Sequence, residues 1–332
     1  MLKSEHPKLD AGRDSKIVFR LVTRHLSLVT EFIMKAMILA AGFGTRLRPL
    51  TEIRPKALTP VGNKPILARN IEYLISHGIT EIIVNAHHHH QQIVDYLREE
   101  SSFGLNIQVK VEPEILGTGG GIKNTEDFWD KEPFFVINSD ILTDIDLAAV
   151  YKVHQTSESL VTLVLHDCEP YNQVQVDDQW NITDIAKSDT PGRLAFTGIH
   201  VIDPEVLSHI PQGVFSDVIE CYRKLIRLGK PIRACLVQGH YWRDIGSIQS
   251  YMEANRELAG NTFVVGPGCS IDASVKLTDW SVIGESSNLG EKAEVQRSVL
   301  WEGVTVKEGI KVVDSVATSR RVVDRDLHGE IF

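Results

Sequence analysis

The stretch Gly42-Phe43-Gly44-Thr45-Arg46-Leu47-Arg48, closed by Arg54-Pro55-Lys56, puts two glycines, a hydroxyl and several cations close together. Glycines let a backbone approach a ligand and turn amide N–H groups toward it. With Arg46, Arg48 and Lys56 beside them and Thr45 as a further donor, the chemistry implied is the binding of a polyphosphate. Just upstream, residues 36–39 form a continuous apolar run of the kind a parallel strand shows when both faces are buried. The cations therefore fall at a strand's carboxyl end. Two commoner loops do not fit. A dinucleotide fingerprint wants a third glycine where Leu47 stands, and Pro49 disfavours a helix opening directly from the glycines. The spacing of a Walker loop is absent.

A second glycine-rich stretch, Glu112-Pro113-Glu114-Ile115-Leu116-Gly117-Thr118-Gly119-Gly120-Gly121-Ile122, is read as a loop preceding a helix near 123–128. Glycines that dense would let the backbone lie against a flat base or a ribose. The run His87-His88-His89-His90 invites a metal reading, but adjacent residues on a strand end do not converge on one ion; a polar rim beside a cleft is the expectation.

In full, L-A-A-G-x-G-T-R-L-x-P-L-T-x-x-x-P-K resembles the signature loop of the sugar-1-phosphate nucleotidyltransferases, which join a nucleoside triphosphate to a sugar 1-phosphate. Every signature residue stands here as written. The resemblance covers residues 34–259 and extends, less specifically, through the tail. It implies nucleotide contacts at Leu39, Ala40, Ala41, Gly42, Gly44, Thr45, Arg46, Asn85, Gly117 and Thr118, and sugar-phosphate contacts at Lys187, Thr197 and Gly198. It assigns catalytic roles to Arg46, Lys56 and Asp140. Trp242-Arg243-Asp244-Ile245-Gly246 resembles the family's second metal motif, so Asp140 and Asp244 are the expected ligands of Mg²⁺, a cation that takes one or two carboxylates with phosphate oxygens and water. For isolated aspartates the ordinary alternatives are a helix cap at Asp140 and an ion pair of Asp244 with Arg243. Two departures affect the sugar: Ala186-Lys187-Ser188 replaces a Glu-Lys-Pro, and Tyr171-Asn172 a Tyr-Gly pair. A GDP-mannose or GDP-heptose type of product is expected. A uridylyltransferase acting on N-acetylmuramate 1-phosphate and a non-catalytic regulatory paralogue are the alternatives.

Strand-like runs at 79–84, 107–111, 134–137, 160–165, 174–176, 195–202 and 232–237 alternate with helical patterns after Pro65, around Ile93, at 217–228 and up to 259. That alternation predicts an α/β, Rossmann-like domain with a mostly parallel, mixed sheet, whose ligands bind beyond the strands' carboxyl ends. Asn85 and Asp140 fall there too. The 332 residues allow one large domain and a smaller one, and 42% apolar with 24% charged residues is ordinary globular composition. A formal charge of −9 argues against a nucleic-acid or anionic-membrane binder. No apolar run reaches the ~20 residues that span a bilayer. Scattered Cys168, Cys221, Cys235 and Cys269 favour reduced thiols and a cytoplasmic location.

Residues 1–33 are read as a disordered extension, with a natural start at Met34. The tail, 260–332, repeats: Val265, Ile271, Leu277, Ile283, Leu289 and Val295 recur every six residues, and after a break near Trp301 the period resumes at Val304, Ile310, Val316 and Val322. Neither a helix nor a plain strand has that period; a short hexapeptide β-helix does. Relatives suggest a left-handed one of about three coils, with a homo-oligomer contact as its role.

Overall fold

The computed structural model describes residues 34–99, 103–105 and 107–332; the expectation for 1–33 lies outside the described residues. Core strands are β1 (Lys35–Leu39), β2 (Glu81–Ala86), β3 (Ile107–Val111), β4 (Phe134–Asn138), β5 (Ile141–Thr143), β6 (Val161–His166), β7 (Asn172–Val176), β8 (Ile182–Ile185), β9 (Leu194–Ile202), β10 (Ile232–Leu236) and β11 (Trp242–Asp244). Helices are α1 (Leu50–Ile53), α2 (Ile66–Ser76), α3 (His90–Glu99), α4 (Gly117–Lys123), α5 (Leu147–Thr156), α6 (Val218–Arg227) and α7 (Ile248–Ala259).

The main sheet runs β8-β7-β9-β4-β1-β2-β3, with β6 paired to β9 and β10 to β6. β1 lies parallel to β2 and β4, and β2 to β3, whereas β9 runs antiparallel to β4, β6 and β7. The sheet is mixed, as expected. Met37 packs on one face with Val136, Leu163 and Tyr222, and Ile38 on the other with Leu67, Ile71 and Val84. Burial on both faces is why β1 reads as an unbroken apolar run.

The second glycine stretch is not a loop. It forms α4, and the helix expected near 123–128 is instead the end of α4 followed by a 3₁₀ turn, Glu126–Phe128. Glycine disfavours helix by about 1 kcal/mol per residue relative to alanine, so tertiary packing must select this one. A Cβ on Gly120 would sit 2.7 Å from the Val214 carbonyl oxygen, and one on Gly121 2.7 Å from Asn85 Nδ2. Only bare backbone fits beneath those neighbours. Helix α5, capped by Asp146, and the β5–β11 ribbon carry no strong sequence signal and were not expected.

The tail winds into parallel coils whose strands stack in three columns, through Val264, Val282, Val299 and Val316, through Ile271, Leu289, Val306 and Val323, and through Leu277, Val295, Val312 and Leu327. One coil separates Leu277 from Val295, three hexapeptides on, but the step from Val295 to Val312 is one residue shorter. After Trp301 the expected Val304 and Val316 are buried, but the period has slipped by Val322. Val323 is buried and Val322 is half exposed. Val265 and Ile271, expected inside, are also exposed, because among the described residues no further coil stacks on the first.

The sheet domain and the tail share a hydrophobic cluster. Leu47, Leu50, Ile66, Ile245 and Tyr251 pack with Trp280, Val282, Val299, Trp301 and Val316. All four cysteines are unpaired.

Candidate active site

The chain leaves β1 through Gly42 and turns at Gly44, whose φ of 62° is left-handed. Thr51 Oγ1 donates to the Gly44 carbonyl at 2.8 Å and closes the loop, while buried Leu47 and Leu50 anchor it from below. Arg46, on the intervening 3₁₀ turn, keeps its side chain 67% exposed and free to reach.

Asn85, next to last in β2, is buried and engaged on both sides of its amide. Its Oδ1 accepts from Ala40 N–H at 2.7 Å and its Nδ2 donates to Glu112 Oε1 at 2.7 Å. Glu112 Oε2 in turn accepts from Leu116 N–H at 3.0 Å. This buried relay ties the phosphate loop to α4. The histidine run braces the other side: ring nitrogens of His88 and His89 lie 3.1 and 3.0 Å from the carbonyls of Thr51 and Glu52, and Phe43 meets His87 edge-on. Among the described residues no group of three or more His, Cys, Asp or Glu could hold a metal.

The two aspartates, a hundred residues apart in sequence, meet on the β5–β11 ribbon. Asp244 is paired in register with Ile141, and Ile245 N–H donates to the Asp140 carbonyl at 2.8 Å. Lys56 Nζ lies 2.5 Å from Asp140 Oδ2, and Arg46 Nη2 3.8 Å from Asp244 Oδ2. Burial pushes the Asp244 carboxyl up in pKa, Asp140 adds to that rise, and Lys56 and Arg46 oppose it. Gly246 makes the cluster possible: a Cβ there would stand 2.5 Å from Asp244 Oδ2 and 2.9 Å from Arg46 Nη2. The ordinary alternatives are occupied by other residues. Asp146 caps α5, and Arg243 turns away to Glu253 and Glu257.

Two cavities open here. The larger, about 430 Å³, is lined by all ten residues expected to contact nucleotide, together with Lys56 and Asp140. The smaller, about 260 Å³, is lined by Thr197, Gly198, Tyr171, Phe196, Trp242 and Asp244 among others. Both share Arg46, Asn138 and Asp140. Thr197 spends its hydroxyl on the Val164 carbonyl at 2.9 Å, and its own carbonyl accepts from Trp242 Nε1 at 2.8 Å, so it offers the cavity no free hydroxyl. Lys187 is exposed beyond β8 and lines neither cavity. Sequence reasoning missed Phe215 and Asp217, which border the larger cavity from the segment before α6. That segment is held by Ser216, whose carbonyl accepts from Gly119 N–H at 2.8 Å and Gly120 N–H at 3.1 Å. An aspartate opening an amphipathic helix was visible in the sequence, but its hundred-residue distance from α4 hid the contact.

Residues 35–261 match the family model described as Nucleotidyl transferase. The chain belongs to the nucleotidyl transferase family. A UTP--glucose-1-phosphate uridylyltransferase of Synechocystis sp. is 29% identical, the match covering 88% of this chain and 89% of that protein. A mannose-1-phosphate guanyltransferase of Neurospora crassa is 30% identical over 83% of each. HddC from Yersinia pseudotuberculosis, solved in complex with GMP-PN, superposes with a TM-score of 0.59 at 24% identity, over 68% of this chain and 99% of its own; at that identity the likeness speaks for the fold alone. Fold and family agree with the expected sugar-1-phosphate nucleotidyltransferase. Among the described residues no helix of this nucleotidyl transferase is long and apolar enough to cross a membrane.

Proposed function

We propose that this enzyme transfers a guanylyl group from GTP to a mannose- or heptose-type sugar 1-phosphate. The observation that carries the reading is the junction of two cavities at Arg46, Asn138 and Asp140, a large one sized for a nucleotide beside a small one suited to a sugar phosphate. There a sugar-phosphate oxygen forms a bond to the α-phosphorus, the bond to the β-phosphate breaks, and pyrophosphate leaves. The attacking phosphate is already ionised, so no side-chain base is needed. Catalysis is positioning and charge neutralisation.

Arg46 reaches the triphosphate from its exposed turn, and Lys56, held by Asp140, offsets the charge that builds on the departing pyrophosphate. Asn85 acts through the relay to Glu112, setting the loop amides rather than meeting the ligand with a free amide. Asp140 and Asp244 fit a magnesium ion: two carboxylates converge at the junction, and the burial and the Asp140 charge that together raise Asp244 are what a cation would offset. Bound there, Mg²⁺ would screen the two anionic reactants from one another. Lys187, on its exposed turn, would have to swing inward to meet the sugar phosphate.

Guanine is favoured by the Neurospora guanyltransferase relative and by Asp217, whose second carboxylate oxygen is unused by the described residues and can accept from a base with several N–H donors. The Synechocystis relative makes UTP the competitor. The test is pyrophosphate release from each of four nucleoside triphosphates against a panel of sugar 1-phosphates with magnesium. GTP with mannose or heptose 1-phosphate is expected to give the highest kcat/KM. Preference for UTP would overturn the base assignment, and no release with any pair the reaction. A homo-oligomer through the first coil, where Phe263, Val265 and Ile271 are exposed, completes the proposal; light scattering checks it.

A further inference from the structure

We propose that Arg54 and Glu302 form a clamp through which the coiled tail positions Lys56, making the tail part of the catalytic apparatus without contact to substrate. Arg54 follows α1 and stands two residues before Lys56. Its guanidinium reaches across to the tail, where Nη1 donates to Glu302 Oε2 at 3.3 Å and Nη2 to Ser319 Oγ at 2.8 Å, with a further bond from Nη2 to Glu302 Oε1. Ser319 Oγ donates to the same carboxylate at 2.6 Å. The guanidinium also lies over the Trp301 ring, 4.7 Å from its centroid. An arginine fork held on two carboxylate oxygens and an aromatic face has one orientation, unlike a lysine in the same place.

On the far side of Lys56 a second strut arrives from the same place. Trp301 Nε1 donates to Tyr251 Oη at 2.9 Å, and Tyr251 Oη donates to the Pro60 carbonyl at 2.8 Å. Both rings are fully buried. Lys56 is thus bracketed by Arg54 and Pro60, each fixed through Trp301 and its neighbour, while Leu47 and Leu50 of the phosphate loop pack on the same coils. A surface ion pair alone would contribute little. This one spans 248 residues and ends on the turn that aims a cation into the cavity. A small displacement of a group engaged in the transition state can cost up to about a hundredfold in rate.

The inference rests on the role proposed for Lys56, so the experiment separates the two. In the full chain, Arg54→Ala and Glu302→Ala are each expected to lower kcat about tenfold with little change in KM, as for an interaction realised in the transition state. The double variant should be no worse than the poorer single one, because the pair acts as a unit. Arg54→Lys, which keeps the charge but loses the fork, should recover only part of the rate. Val312→Ala, in the tail core away from the clamp, controls for destabilisation: it should lower the melting temperature and leave kcat unchanged. If Val312→Ala loses kcat to the same extent, or folded Arg54→Ala and Glu302→Ala keep kcat within twofold, the clamp is a structural staple and the proposal falls. Lys56→Ala run in parallel shows which idea has failed. A normal rate there overturns the site reading itself; a lost rate beside unchanged clamp variants overturns the clamp alone.

Discussion

Charge is arranged in opposite ways in the sheet domain and in the coils. At the cleft, Arg46, Lys56, Asp140 and Asp244 crowd into one concave place, where burial and the neighbouring Asp140 charge raise Asp244. Along the coils, charges stand outside and are matched one coil apart: Arg297 bridges Asp279 at 2.7 Å and Asp314 at 2.6 Å, and Glu294 lies between Lys276 at 3.0 Å and Lys311 at 3.2 Å. These stacked coil charges are matched by one another. The cleft leaves a cation exposed and an acid strained toward neutrality, an arrangement suited to an anionic ligand and a counter-ion rather than to stability.

The sharpest way to break that contrast is to remove the cleft's charges. Lys56→Ala and Asp140→Asn should each lower kcat by about a hundredfold or more, the effect of losing one preorganised group worth ~3 kcal/mol, with an unchanged far-ultraviolet circular dichroism spectrum. Near-normal turnover would dismiss the proposed roles. Next in size is Gly246→Ala, whose added carbon meets both Asp244 and Arg46. It should lower kcat/KM by roughly tenfold or more through misplacement and raise the magnesium concentration needed for half-maximal rate. An unaltered magnesium requirement would argue against Asp244 as a ligand.

These expectations draw on residues of unequal legibility. β1 and its loop were readable because a strand buried on both faces must be apolar throughout and the turn after it must be glycine. The tail's period was readable because one inward side chain recurs at each step. Its phase was not, since a single residue dropped from one coil exchanges Val322 for Val323 without altering composition. Helix α4 was misread because glycine's intrinsic preference points the other way, and what overrides it, the 214–217 segment and the Asn85–Glu112 relay, lies far off in sequence. The meeting of Asp140 with Asp244 came from motif resemblance alone; three-residue strands leave almost no periodic trace.

Acid should also distinguish the regions. Burial depresses His166 to about 4 and His200 to about 3, both within the main sheet, while His328 is the tail's only histidine. The unfolded chain takes up protons near 6.5 and the folded one does not, so stability is full above 6.5 and falls as pH drops toward 3. His200 alone should remove on the order of 2 kcal/mol by pH 5. Urea midpoints at pH 7 and pH 5 measure the slope, which His200→Gln should flatten. A parent slope of zero would mean that these rings are protonated in the fold.

Smaller still is the nucleotide preference set by Asp217. Its Oδ1 caps α6 by accepting from Ile219 N–H at 2.7 Å. Asn keeps a capping oxygen but turns the other acceptor into a donor, so Asp217→Asn should leave the melting temperature in place and lower the GTP-to-UTP ratio of kcat/KM several-fold. An unchanged ratio would mean that Asp217 only borders the base.

The weakest effect expected lies on the coils, and it tests the comparison from its other side. Arg297 is an outlier in its own backbone, at φ 45°, as are Asp279 at 58° and Asp314 at 50°, the corner residues above and below it. Left-handed corners stack in register and bring the three side chains into one column. The column is exposed, so its ion pairs are screened by water and salt and contribute little. Arg297→Ala should therefore shift thermal unfolding by only a few degrees at low salt, less at high salt, and leave turnover untouched. Arg297→Gly at the same corner should cost less than the alanine variant, because glycine adopts positive φ without strain and recovers part of what the lost pairs contributed. If alanine and glycine prove equal and both losses vanish in salt, the column is purely electrostatic and the corner conformation is set by the coil's buried strands.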